Sequence, residues 1–318
     1  MSELAGLYAA MATPVGGDGH LLLDRFAAHA RRLLALGCDG VVVFGSTGEA
    51  PSFSVAERQR ALEGLLARGL DPERIILGAG CCALADSLAL IRHGLAHRVR
   101  RFLVIPPFYF KPLRDEGVYR AYAALAEALA DTPAELLLYH YPQMSGVPIS
   151  AEVIARLLAS HPGRFVGIKD SGGDLDHSRA LKRRFPELKV FTGNDKALWD
   201  AHQGGLAGAI TAGLNLLAAP SRALWDALSR GDRAEAERHM RLIESVRALF
   251  ESLPMIPAIK LMLAWGLEDP TWHHLRPPLA PLTQAEGETL KAELARVGFD
   301  PVRALAVQPA EDAARPPA

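Results

Sequence analysis

Lys169 stands where an apolar run stops. The stretch "RFVGIKDSGG" passes from Val, Gly and Ile to a lysine, then to Asp, Ser and two glycines. An ammonium facing a packed interior loses solvation, so its pKa is expected to fall. The neutral amine can then attack a carbonyl near neutral pH and form a Schiff base. An arginine at the same place could not. Gly167, two residues earlier and on the same face of a strand, would leave room beneath that side chain. The structural alternative keeps Lys169 as a cation paired with Asp170 or with a backbone carbonyl. Tyr139 ends the preceding apolar run, "AELLLYHYP", where its phenol could move protons at a Schiff-base carbon. An amphipathic tyrosine at a rim would read the same way. Ser46 and Thr47 lie in "GSTGE", where hydroxyls and amide N–H groups could hold a carboxylate. A plain strand-to-helix turn has the same composition.

Other chemistry-bearing residues carry less. His93 and His97 have the i, i+4 spacing of a helical metal pair but lack the glutamate of H-E-x-x-H, and read as surface histidines. His273 and His274, beside Trp272, read as loop residues facing solvent or an interface. Lys260, in "IPAIKLMLAWG", reads as a lysine snorkelling from a helix. No metal site is expected, and no carboxylate pair or histidine cluster stands out at the strand ends.

The elements that must position Lys169 follow from periodicity. Eight short apolar runs centre near Leu7, Val42, Ile76, Leu103, Leu137, Val166, Val190 and Ala209, each ending in Gly, Pro, Ser, Thr, Asn or Asp. Continuous apolar runs of this kind suit parallel strands buried on both faces. Amphipathic stretches fill the gaps, among them "SVAERQRALEGLLARG", with Ser54 and Glu57 spaced as a capping box. The usual spacing of about thirty residues is one βαβ unit, and eight such units make a (β/α)8 TIM barrel of about 250 residues. An open doubly wound sheet is the alternative, but its G-x-G-x-x-G turn is missing; "LGAGCCAL" lacks the third glycine. The barrel strands and helices are placed at 1–215, the last barrel helix and a helical C-terminal extension at 216–300, and a disordered Pro/Ala-rich tail at 301–318. In a TIM barrel the strand C-termini form the active face, which is where Lys169, Tyr139 and the "GSTGE" turn fall.

Composition narrows the partners. The 318 residues are 49% hydrophobic and 22% charged with a formal net charge of -1, so nothing argues for nucleic acid or an anionic membrane. No run is long and apolar enough for a membrane span, and no signal peptide is read at the N-terminus. Cys38, Cys81 and Cys82 form neither a disulfide framework nor a C-x-x-C motif, and read as buried thiols of a cytoplasmic protein.

Taken together, the motifs resemble the dihydrodipicolinate synthase / N-acetylneuraminate lyase family of class I aldolases. "GSTGEA" with the following "FS" and "E" looks like its G-[ST]-T-G-E signature, and "PPFYFKP" like its P-Y-Y-x-[KR]-P loop. "LLLYHYP" resembles its L-Y-N-x-P strand end, "VGIKDSGGD" the strand holding the Schiff-base lysine, and "GGLAGAITAGLN" the G-x-x-G-x-I-S segment. The likeness runs from about Leu7 to about Leu294. It implies that Lys169 forms a Schiff base with pyruvate or a longer 2-oxo acid, with no cofactor, and that Tyr139 is the general acid/base. It further implies that Ser46 and Thr47 hold the carboxylate, that Gly45 and Ile210 line the same site, and that Thr47 and Tyr109 complete a proton relay, Tyr109 from a neighbouring subunit. A homo-oligomer, tetramer or dimer, is implied, with an aldehyde as second reactant. Three departures bear on that aldehyde. Met144 stands where synthases of the family carry an arginine for the second substrate, which argues against 4-hydroxy-tetrahydrodipicolinate synthesis. Lys196 follows Asp195 where sialic acid lyases carry an acid. His140 replaces the asparagine after the tyrosine. A sugar-acid or hydroxy-oxo-acid aldolase is the expectation; a divergent synthase and a non-catalytic 2-oxo-acid-binding protein are the alternatives.

Overall fold

The computed structural model describes residues 3–307. Eight parallel strands close into a barrel in sequence order: β1 (Gly6–Ala10), β2 (Gly40–Val43), β3 (Ile75–Gly78), β4 (Arg101–Val104), β5 (Glu135–His140), β6 (Phe165–Asp170), β7 (Lys189–Thr192) and β8 (Gly208–Thr211). The helices between them are α1 (Leu23–Ala35), α2 (Val55–Ala67), α3 (Leu84–Ala96), α4 (Asp115–Glu127), the single turn α5 (Pro142–Ser145), α6 (Ala151–Ser160), α7 (Leu175–Arg184) and α8 (Leu198–Gln203). The chain then continues through α9 (Leu214–Arg230), α10 (Arg233–Glu251), α11 (Met255–Gly266), α12 (Gln284–Arg296) and α13 (Pro301–Leu305). All eight expected strands are present, and the fold is the TIM barrel expected from their spacing.

Two cores result from the strands' alternation. Residues facing out, such as Val41, Val43, Leu136, Leu138 and Ile168, pack under the helices. Residues facing in, among them Tyr8, Val42, Ile76, Leu103, Leu137, Phe191 and Ile210, fill the barrel itself. The period of two carries the inward set up to the active rim: Leu137 lies beneath Tyr139, and Gly167 beneath Lys169. A Cβ on Gly167 would stand 2.8 Å from the Lys189 carbonyl and 3.5 Å from Leu137 Cγ. Glycine there admits the neighbouring strand and Leu137.

The local signals read in the sequence act as expected. Ser54 and Glu57 form the reciprocal capping box that starts α2. Asn215, in the first turn of α9, fastens that helix to the first strand: its amide donates to the Ala10 and Ala212 carbonyls and its oxygen accepts from Ala12 N. His29 bonds the same oxygen at 3.0 Å, and burial holds that imidazole down to about 4. The boundary placed at 215 falls inside this turn, because α9 begins at Leu214.

Two expectations change. The tail read from 301 begins as a helix: Asp300 caps the Val302 amide, Pro301 occupies the first helical position, and Leu305 is buried. The rest of that tail, from 308, lies outside the described residues. Of the three cysteines, all free, only Cys38 is buried; Cys81 is half-buried and Cys82 exposed. Both sit on the loop between β3 and α3, where Cys81 Sγ accepts from Arg58 of α2 at 3.5 Å and Cys82 faces solvent.

Candidate active site

Lys169 is buried and points into the rim of the barrel, where its Nζ lies 3.2 Å from the Tyr139 phenol and 4.3 Å from the centre of that ring. The two residues pair directly across β5 and β6. Among the described residues no carboxylate lies within ion-pair distance of Lys169. Asp170, the neighbour that could have neutralised it, faces the other side of the sheet. Its carboxylate accepts from Ser178 Oγ at 2.6 Å, from the Gly172 amide at 3.0 Å and from His177 Nδ1 at 2.8 Å. The alternation of β6 therefore separates a buried amine from the acid beside it in sequence.

Tyr139 is the hub of the site. Its hydroxyl is 3.2 Å from Lys169 Nζ and 3.4 Å from Ser46 Oγ, and its ring stacks on Tyr141 at 5.8 Å. Ser46 is brought there by a tight turn after β2. Phe44 adopts a left-handed conformation (φ 56°), and its carbonyl presses on β3, where a Cβ on Gly78 would lie 2.0 Å from it. Only glycine fits at that position. Within the turn the amides of Gly48, Glu49 and Ala50 are internally bonded, whereas those of Ser46 and Thr47 make no hydrogen bond among the described residues. Free amide N–H groups beside a hydroxyl are suited to an anion.

The site residues read from the sequence are thus partly assembled. Lys169, Tyr139 and Ser46 form one connected set. Gly45, Ser46, Tyr139 and Met144 line a cavity of about 160 Å3 together with Leu103, Ile105 and Phe108. Ile210 is buried within the barrel interior. Thr47 is buried in the turn but makes no hydrogen bond to Tyr139 among the described residues. Tyr109 is not joined to the set within this chain. It is 77% exposed, with its ring edge-on to the exposed Phe110.

Three features escaped the sequence reading. Lys260 does not snorkel: its side chain is fully buried, 2.6 Å from Glu49 Oε1 and 3.0 Å from the Thr13 carbonyl. Burial pulls its pKa down and Glu49 opposes this. Glu49 also accepts from the Arg276 amide at 3.1 Å, so the C-terminal extension grips the turn that carries Ser46. The glutamate of "GSTGE" was the available signal. Second, His140, Asp170 and His177 come together behind β5 and β6, with the two imidazoles 4.9 Å apart. His140 Nδ1 accepts from the Ile149 amide at 3.1 Å, so its neutral ring carries the hydrogen on Nε2. With the Asp170 carboxylate also occupied, this cluster is a hydrogen-bonded brace. Burial lowers the His140 pKa, while the hydrogen bond to Asp170 raises that of His177. A second group joins His93 and His97 to Glu63, with His93 Nε2 3.4 Å from Glu63 Oε1. The residues taken as surface histidines are half-buried and coupled to an acid one helix away. Third, Asp195, Lys196, Arg247 and Glu251 tie α10 to the end of β7.

Comparison with known proteins agrees with this fold. A sequence model of the dihydrodipicolinate synthetase family matches residues 3–297. An uncharacterized DapA-like lyase of Chloroflexus aurantiacus is 40% identical over 299 residues, covering 93% of this chain and 98% of that protein. A 4-hydroxy-tetrahydrodipicolinate synthase of Thermus thermophilus is 34% identical over 273 residues, covering 85% of this chain and 89% of its own. The crystal structure of dihydrodipicolinate synthase from Agrobacterium tumefaciens superposes with a TM-score of 0.81 at 29% identity, covering 92% of this chain and 99% of that one. With matches spanning nearly the whole barrel, the chain belongs to the dihydrodipicolinate synthetase family and is a lyase of the class I aldolase type.

Proposed function

We propose that this enzyme joins or cleaves pyruvate, or a related 2-oxo acid, and an aldehyde through a Schiff base on Lys169. The observation that carries the reading is a buried lysine amine with no carboxylate in ion-pair reach among the described residues, 3.2 Å from a buried phenol. The amine attacks the C2 carbonyl, water leaves, and the resulting iminium acts as the electron sink, so the reaction needs no separate cofactor. Tyr139 takes a proton from C3 to give the enamine, whose C3 attacks the aldehyde carbon. In the reverse direction Tyr139 accepts the C4 hydroxyl proton as the C3–C4 bond breaks. Ser46 and the free amides of Ser46 and Thr47 hold the 2-oxo acid's carboxylate, with Gly45 and Ile210 shaping the space around it. A sugar-acid or hydroxy-oxo-acid substrate is favoured over aspartate semialdehyde because Met144, 56% exposed at the cavity, offers no cation to an amino acid's carboxylate. The exposed Tyr109 is assigned to a neighbouring subunit's site in a dimer or tetramer. Three free cysteines fit a cytoplasmic location. Among the described residues no single helix is long and apolar enough to cross a membrane.

The test is incubation with pyruvate and borohydride, followed by peptide mapping. A reduced adduct on Lys169 is expected; a protein left unmodified would rule out both the aldolase reading and the divergent synthase. A panel of aldehydes offered with pyruvate, aspartate semialdehyde included, then separates these two.

A further inference from the structure

Helices α2 and α3, on either side of β3 in sequence, share a cluster of ligating side chains on the outside of the barrel. Gln59 Nε2 of α2 donates to the Ala89 carbonyl of α3 at 3.3 Å, which holds the two helices in register. One turn further along each helix stand Glu63 and His93, with His93 Nε2 3.4 Å from Glu63 Oε1. His97 follows at the next turn, and the two imidazole rings are 4.5 Å apart. One ligand atom of each of the three residues lies within 4.8 Å of the others.

The nitrogens and the carboxylate are open to a cation. His97 Nδ1 lies 3.0 Å from the His93 carbonyl. A carbonyl only accepts, so in the neutral ring Nδ1 carries the hydrogen and Nε2 presents a lone pair. A second ring nitrogen bonded to a backbone carbonyl is also what orients a metal-bound histidine. His93 Nε2 is buried and makes no hydrogen bond, although the Glu63 carboxylate stands 3.4 Å away. A buried ring nitrogen left without a partner asks for one. Glu63 is 50% exposed, so its carboxylate can turn inward and an ion can approach from solvent. Two imidazole nitrogens and one carboxylate oxygen are a donor set for zinc, with bonds of about 2.0–2.2 Å.

We propose that Glu63, His93 and His97 bind a divalent metal ion of the zinc type, with water completing its shell, and that the ion staples α2 to α3. His97 lies four residues before β4 begins at Arg101, so the cluster is at the end of the barrel opposite the rim that holds Lys169. The ion therefore acts on stability and takes no part in the Schiff-base chemistry, and the inference stands apart from that reading. Because folding is what gathers the three ligands, binding stabilises the folded chain.

Calorimetric titration of the chelator-treated full chain with Zn²⁺ is expected to show saturable binding. Glu63→Gln and His97→Ala should each weaken it at least tenfold. His239→Ala, which removes a histidine beside Glu235 on α10, should leave it unchanged. Zn²⁺ should raise the melting temperature of the wild type but not that of His97→Ala, and Mg²⁺, which takes oxygen ligands, should raise neither. A wild-type protein that binds no Zn²⁺ overturns the proposal, as does Glu63→Gln or His97→Ala binding as tightly as the wild type. A Zn²⁺-induced melting shift that survives His97→Ala, or binding lost in His239→Ala, places the ion elsewhere and overturns it equally.

Discussion

At the scale of single residues, the site depends on one amine and one phenol held in contact. Lys169→Arg keeps a cation of similar length but removes the proposed nucleophile, so borohydride trapping with pyruvate should vanish. Tyr139→Phe removes the proposed proton carrier and the bridge to Ser46. A fall in kcat of about 10²–10⁴ is expected, the range for a general acid/base, and steady-state kinetics on the active aldehyde would measure it. The brace behind β6 gives a pH prediction. His177 is raised above its ordinary 6.5 by Asp170, so its stabilisation is complete below about 6.5 and is lost as pH rises through the raised value. Burial alone would raise Asp170, but hydrogen bonds from His177, Ser178 and Gly172 outweigh it and hold the carboxyl below its ordinary 3.8. Its contribution is present above that value and is lost as the medium acidifies through the lowered one. The pair is therefore most stabilising between about pH 4 and 6.5. His177→Gln should flatten the decline in urea midpoint above that window; because His177 is a third exposed, the effect is under about 1 kcal/mol. Unchanged slopes would show that the pair contributes nothing.

At the scale of elements, the main coupling runs from α11 to the turn after β2. Lys260 and Glu49 are both fully buried. Removing one partner leaves an uncompensated buried charge, so Lys260→Met should cost about 3–5 kcal/mol. The double variant Lys260→Met with Glu49→Gln should recover most of this, since a glutamine can still accept from the Arg276 amide. Urea unfolding of both variants measures the difference, and a double variant no more stable than the single one would remove the ion pair from the account. Ser54→Ala breaks one capping box at the start of α2 and should cost about 1 kcal/mol. The sequence already displayed that box, because its two residues are three apart. It hid the Lys260–Glu49 pair, whose partners are separated by 211 positions; a lysine in an amphipathic helix reads as snorkelling until the helix is placed.

At the scale of the whole molecule, eight strands converge on one rim, so side chains far apart in sequence share a single cavity. The barrel was legible because its unit repeats about every thirty residues and each strand has a short apolar centre. Tyr109 and Phe110 are 77% and 74% exposed beside the catalytic mouth. If subunit association covers them, sedimentation should show a dimer or tetramer, and Tyr109→Ala with Phe110→Ala should shift it toward monomer. A wild-type protein that sediments as a monomer would remove Tyr109 from the proposed relay.

By itself the sequence determined the strand and helix periods, the turn after β2 and the lysine at the end of β6. Each depends on residues within a few positions of one another, where propensity, capping and alternation act directly. The tertiary structure decided which groups keep company. It turned Asp170 away from Lys169, brought Ser46 to Tyr139, buried Lys260 against Glu49 and set Arg247 against Asp195. Those outcomes depend on strand order and on the docking of helices from the far end of the chain, and no local pattern encodes them.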